Sequence, residues 1–186
     1  MPANESSLGI NIAYPQDPAA ERLAVSAAES KVTFSENTSG KATAGTVGII
    51  GAGNYASQVL IPAFKAAGAG LGLLASAGGG SSVHSGKKFG FAGATTNADA
   101  VATDPSIDTV VIATRHDTHG RYALAALEAG KHVFVEKPLA IDREQLAAIE
   151  AAYTRAHENG AGPLLMVGFN RRFSPLTVQL KKLLDA

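Results

Sequence analysis

The stretch Val47-Gly48-Ile49-Ile50-Gly51-Ala52-Gly53-Asn54-Tyr55-Ala56 limits the folds open to this chain more than any other. It sets a short apolar run, the pattern of a strand buried on both faces, directly against a G-x-G-x-x-A turn and the start of a helical segment. Each small residue has a mechanical reason. Gly51 permits the tight turn out of the strand, Gly53 keeps side chain away from a group approaching the backbone, and Ala56 lets the helix lie close to the sheet. The amides of residues 51 to 55, those of Ala52, Asn54 and Tyr55 among them, then face outward at the positive end of a helix dipole, where a diphosphate is favoured. A glycine pattern alone is weak evidence in a chain with 20 glycines; its place between strand and helix gives it weight.

From this motif onward strand and helix signals alternate without hairpin turns. Strands are predicted at residues 47–50, 71–75, 92–95, 108–113, 131–135 and 164–167, with 108–113 (Asp-Thr-Val-Val-Ile-Ala) the clearest. Helices are predicted at 54–67, 82–89, 99–102, 118–129, 142–159 and 175–184. Asn97 and Asp142 are the candidate caps, and Gly130 and Gly160 the stops. Pro62 predicts a kink or break in the first helix, and Gly78-Gly79-Gly80-Ser81-Ser82 reads as a flexible loop. Such repetition implies an α/β fold: a doubly wound, mainly parallel sheet of the Rossmann type, in three αβα layers. Residues 1–44 look different. They carry two weak strand-like runs, Ile10 to Tyr14 and Lys31 to Phe34, among loop-forming residues, so a boundary falls near 44: linker or domain remnant before it, a dinucleotide-binding domain over 45–186.

Composition removes several classes. Lys+Arg and Asp+Glu both number 16, so the formal charge is zero and gives no reason to expect nucleic acid as a partner. No apolar run is long enough to cross a bilayer, and residues 1–9 lack a signal pattern, so no membrane is expected. The absence of cysteine excludes disulfides and thiolate metal sites and suits a cytoplasmic protein. No His/Asp/Glu set has metal-ligand spacing, so no metal is expected, even at His116 and His119. His132 alternates with valines on a strand and reads as structural.

The second strand of a dinucleotide fold ordinarily ends in an acid that grips the 2′-hydroxyl of NAD. Here it ends Leu74-Ala75-Ser76-Ala77-Gly78, with no carboxylate to repel a 2′-phosphate, and Ser76, Ser81 and Ser82 are available as hydrogen-bonding groups. The cofactor expected is NAD or NADP, with a lean to NADP. Ligands in such sheets sit at the carboxyl ends of the strands. Three polar clusters fall there: Thr114-Arg115-His116-Asp117-Thr118-His119, Glu136-Lys137-Pro138, and Gly168-Phe169-Asn170-Arg171-Arg172-Phe173.

Together with the glycine loop and the lead-in Ala129-Gly-Lys-His-Val-Phe-Val135, these clusters resemble the Gfo/Idh/MocA family of oxidoreductases over residues 45 to 186. The resemblance implies that Lys137 lies near nicotinamide and substrate, where a cation favours a developing alkoxide, and that the Lys137–Pro138 bond is cis. It implies that Glu136 helps hold the nicotinamide end and that Thr114, Arg115 and His116 line the cofactor. It places His119 near the adenine–pyrophosphate side or at the helix start, and Arg171 or Arg172 against cofactor or substrate. The substrate implied is a secondary alcohol of a sugar or nucleotide-sugar. Family members continue into a second, mainly antiparallel domain that supplies an Asp and a His. This chain stops near where that domain would begin, so it is expected to bind cofactor and turn over little alone. Residues 1–44 resemble the junction of a two-domain fusion with an alcohol-dehydrogenase-like half. A homo-oligomer stays open, as does a second reading, a non-catalytic dinucleotide sensor; Lys137 favours the enzyme.

Overall fold

The computed structural model describes residues 31–34 and 44–185. Seven strands form one sheet: β1 (Lys31–Thr33), β2 (Thr46–Ile50), β3 (Gly70–Ala75), β4 (Gly93–Thr95), β5 (Thr109–Ile112), β6 (His132–Glu136) and β7 (Leu165–Gly168). Their order is β1-β4-β3-β2-β5-β6-β7. All neighbours are parallel except β1, which runs antiparallel to β4. The chain winds outward through β3 and β4, then returns to β5 beside β2 and winds the other way. The order reverses between β2 and β5, and that crevice is where an open α/β sheet takes its ligand.

The helices are α1 (Ile61–Ala66), α2 (Gly79–Phe89), α3 (Asp99–Thr103), α4 (His116–Glu128), α5 (Arg143–His157) and α6 (Pro175–Leu184). Two apolar clusters occupy the two faces of the sheet. Ile50, Val110, Ile112, Val133 and Val135 pack with Val101 of α3, Ala123, Ala126 and Leu127 of α4 and Ile149 of α5. Val47, Ile49, Leu71, Leu74 and Val111 pack on the other face with Leu60, Ile61 and Phe91. The central strands read as unbroken apolar runs because both their faces are covered.

The segment carrying Pro62 divides into two short helical pieces as expected: Ala56–Leu60 winds as a π-helical turn in which the Ile61 amide reaches back to the Ala56 carbonyl, and α1 follows with Pro62 in its first turn. The wider turn absorbs the backbone donor that Pro62 lacks. The glycine tract after β3 is not a loop throughout: α2 already starts at Gly79, with the Ser82 amide donating to Gly78 O at 3.2 Å and its hydroxyl to Gly79 O at 2.9 Å. Glycine disfavours helix by only about 1 kcal/mol per residue, a bias that packing overrides. The cap position of α3 falls on Ala98 and not on Asn97, although Asn97 Oδ1 accepts from the Asp99 amide at 3.0 Å. Asp142 caps α5, accepting from the Gln145 amide at 2.7 Å.

The strand Lys31–Thr33, which lies before the boundary expected at 44, joins the main sheet as its antiparallel edge. Phe34 follows it onto α2, where a Cβ at Gly86 would stand 2.5 Å from the Phe34 ring. The other run expected in this stretch, Ile10 to Tyr14, lies outside the described residues. At the opposite end α6 carries no buried residue, and Leu176, Leu180, Leu183 and Leu184 are exposed along it.

Candidate dinucleotide site

Parallel register aligns the strand ends that carry the polar clusters. Ile50 pairs with Ile112, Ile112 with Val135, and Glu136 with Gly168. The residues that follow these positions therefore share one rim of the sheet. Gly51 makes the turn possible there. Its φ is 108°, in the left-handed region, and a Cβ on it would overlap the Ala113 carbonyl oxygen. No other residue type fits both constraints. At Gly53 the opposite holds: a Cβ would meet nothing within 4 Å, so the backbone fronts open space.

Two cavities adjoin along this rim and share Gly53, Ala113 and Thr114. The larger, about 670 Å³, lies on the β3–β4 side. Gly51, Ser76, Thr114 and Arg115 line it, as the sequence motifs suggested, but so do Asn97, Asp99, Thr118, Arg121 and Tyr122, which sequence reasoning missed. These last come from a strand-end loop and from the flanks of α3 and α4, where no local motif marks them. Arg121 is tied to Asp99 by its Nη2 at 2.8 and 3.1 Å, an exposed ion pair between the two helices.

The smaller cavity, about 410 Å³, gathers Asn54, Tyr55, His116, His119, Glu136 and Lys137 with Asn170. Asn170 Nδ2 donates to the Tyr55 hydroxyl at 3.0 Å and so joins the residues after β7 to the glycine loop. The Lys137–Pro138 peptide is cis. Lys137 is exposed, and among the described residues its ammonium makes no ion pair. Glu136 is half-buried, and its Oε1 is buried without a hydrogen-bond partner among the described residues.

Three of the expected site residues stand as follows. His119 lies in the first turn of α4, the helix-start alternative, and lines the smaller cavity together with Lys137. It is fully buried, with Nδ1 2.7 Å from Pro138 O and Nε2 3.2 Å from Thr114 O. Both ring nitrogens thus face backbone oxygens, and only the protonated one can donate. Arg171 lies in the 3₁₀ turn Asn170–Phe173, exposed and outside both cavities; its neighbour Asn170 takes the lining position. Ala52 also lines neither cavity. It packs against the core, and its carbonyl accepts from Ser57 Oγ at 3.3 Å.

The residues present fit an extended dinucleotide. A diphosphate has open approach to the backbone at Gly53, two chambers lie on either side of that point, and the smaller is lined by Glu136, one of whose carboxylate oxygens is buried without a hydrogen-bond partner among the described residues. Among the described residues no three His, Asp or Glu side chains are grouped as metal ligands. Among them, too, no helix is long and apolar enough to cross a membrane.

Known proteins match the same region. Residues 46–169 match the model of the Gfo/Idh/MocA oxidoreductase family, NAD-binding Rossmann fold. The scyllo-inositol 2-dehydrogenase (NAD(+)) of Bacillus subtilis is 42% identical over 86 residues, covering 46% of this chain and 24% of that protein. The 3-ketoreductase KijD10 of Actinomadura kijaniata, in complex with TDP-benzene and NADP, superposes with a TM-score of 0.66 at 28% identity, covering 76% of this chain and 43% of that one. A levoglucosan dehydrogenase in complex with NADH and L-sorbose gives 0.63 at 31% identity, covering 76% and 38%. The matched stretch spans about a quarter of the length of the inositol dehydrogenase relatives. The chain belongs to the Gfo/Idh/MocA oxidoreductase family, whose NAD-binding Rossmann fold it carries.

Proposed function

We propose that residues 45–186 bind a nicotinamide dinucleotide across the two cavities and serve a dehydrogenase acting on a secondary alcohol of a sugar-like substrate. The observation that carries this reading is the shared rim. Gly53, open to a diphosphate, and Lys137, a cation without an ion-pair partner among the described residues, line one cavity at the point where strand order reverses. The cofactor, when bound, supplies the hydride acceptor. The chain's residues do the rest. Backbone amides at residues 51–55 neutralise the diphosphate. The Glu136 carboxylate, at the cavity wall, accepts from a carboxamide, and Lys137 Nζ donates to the reacting oxygen and stabilises charge as it develops there. The names of relatives, inositol and levoglucosan dehydrogenases, support a cyclic polyol or sugar; a nucleotide-sugar fits the same chemistry.

NADP is the cofactor that the larger cavity favours. No carboxylate stands at the end of β3, where Ser76-Ala77-Gly78 follows, and Arg115 and Arg121 both line the chamber against the single carboxylate of Asp99. A 2′-phosphate would meet a net positive wall, and Arg121 can exchange Asp99 for it.

Fluorescence titration with NADPH and NADH tests the reading directly. Both should saturate, NADPH at the lower concentration; binding of neither would overturn it. However slow the turnover of this chain with cyclic polyols, Lys137→Met should lower it by about 10²–10³-fold while leaving cofactor affinity within about threefold.

A further inference from the structure

His119 is the one fully buried imidazole among the described residues, and both its nitrogens face main-chain oxygens: Nδ1 at 2.7 Å from Pro138, Nε2 at 3.2 Å from Thr114. A carbonyl oxygen only accepts, so the short contact places the proton on Nδ1, which donates to Pro138. The two carbonyls belong to different strand ends. Thr114 follows β5 and lines both cavities, whereas Pro138 follows β6 and the residue before it is Lys137. Among the described residues no other hydrogen bond ties residues 138–141 to the rest of the fold; Leu139 and Ala140 are held by apolar contact, which has no direction. His116, one turn earlier on α4, faces the smaller cavity and meets the His119 ring edge-on at 5.6 Å.

We infer that His119 is a positioning residue for Lys137. Its Nδ1–H pins the Glu136-Lys137-Pro138 turn to the first turn of α4, the helix that follows β5, and so fixes the ammonium and the Glu136 carboxylate relative to the glycine loop. The inference rests on the dinucleotide reading of the two cavities. It sets His119 apart from residues that touch cofactor, because its side chain has 0% exposure and its one N–H is spent on Pro138. Its removal should therefore be felt mainly at the nicotinamide end, since Glu136 and Lys137 line the smaller cavity alone, whereas the larger one is also walled by the β3 and β4 ends, α3 and the outer flank of α4.

The test uses two ligands on the wild-type chain and on His119→Ala, His119→Asn and His119→Gln. One ligand is the reduced dinucleotide that the wild type binds more tightly. The other is ADP-ribose, which carries the adenosine and the diphosphate but no nicotinamide. His119→Ala should weaken the dinucleotide about tenfold or more and ADP-ribose less than about twofold. His119→Asn should recover most of the loss, because the amide nitrogen of Asn stands where Nδ1 stands and donates to Pro138. His119→Gln reaches the Nε2 position instead and should not recover it. Equal losses for both ligands, or no loss for either, would overturn the inference. Where the alanine variant fails to fold, the Asn and Gln pair decides, and equal affinities in that pair would overturn it. A wild type that binds neither ligand sinks the dinucleotide reading itself, an outcome distinct from any pattern among the variants.

Discussion

The two chambers on either side of Gly53 are built on different principles. The larger is walled by small and aliphatic residues, Ile50, Ala75, Ala77, Ala98 and Ala113, with its charges confined to Arg115 and the Asp99–Arg121 pair. The smaller collects Tyr55, His116, His119, Glu136, Lys137 and Asn170 around a shorter perimeter. One half offers shape and a charged margin, suited to a group that is held and not transformed. The other concentrates titratable and hydrogen-bonding groups, which is where bond-making chemistry needs them. The dividing wall is Gly53 with Ala113 and Thr114, and Gly51 turns the chain into it against the Ala113 carbonyl, so a change at that turn is felt on both sides.

Gly51→Ala should therefore have the largest effect. The φ of 108° is unfavourable for alanine, and the added Cβ overlaps the Ala113 carbonyl at the end of β5. The strain costs about 1–3 kcal/mol before the overlap is relieved. Calorimetric unfolding should show a fall in Tm of several degrees, on the order of 2–4 °C per kcal/mol for a chain of this size. Affinity for reduced dinucleotide and for ADP-ribose should fall together. A variant that lost one and kept the other would break the picture of a shared wall.

The contrast between the chambers also explains what could be seen in the sequence. Residues of the smaller one stand at or just after strand ends, so Glu136-Lys137, Thr114 and His116 lie next to apolar runs that mark where strands end. Asn54 and Tyr55 belong to the glycine loop and were legible for the same reason. Asp99, Thr118, Arg121 and Tyr122 of the larger chamber sit on helices, where a wall residue is spaced like any solvated one, and nothing local sets it apart. Asn170 was passed over for the more conspicuous Arg171, because charge draws attention that a neutral amide does not. The depth of His119 was hidden by its position in a polar run; only the turn after β6 folding back over α4 buries it. The doubly wound order was legible from the alternation of elements. The π-helical turn before Pro62 and the docking of Lys31–Thr33 were not, since both depend on contacts distant in sequence.

Arg121→Gln sharpens the comparison from the side of the larger chamber. Removing the guanidinium frees Asp99 to face a 2′-phosphate without compensation. Affinity for NADPH should drop about five- to tenfold, near 1–1.4 kcal/mol, while NADH changes by less than about twofold. The drop should shrink as salt is raised, because the pair is exposed and screened. Equal losses for both cofactors would move the 2′-phosphate contact elsewhere in the chamber.

The smallest expected effect lies outside both chambers and serves as their control. Asp104, just beyond α3, accepts from the Ser106 hydroxyl at 2.6 Å, from the Ser106 amide at 2.9 Å and from Lys31 of β1 at 3.1 Å. Burial alone would raise its carboxyl, yet the bonds from Ser106 and the charge of Lys31 outweigh burial and hold it below its ordinary value of 3.8. A folded value below the unfolded one means that the unfolded chain binds this proton more readily. The contribution to stability is therefore whole above pH 3.8 and is lost as the pH falls through the lower, folded value. Asp104→Asn should lower Tm at neutral pH by only about 1–2 °C, as Lys31 is nearly half exposed and such pairs contribute about 0.5 kcal/mol. The gap between wild type and variant should close on acidification, and both titrations should stay unchanged. A change in either affinity would mean that the β1 edge and the chambers are coupled.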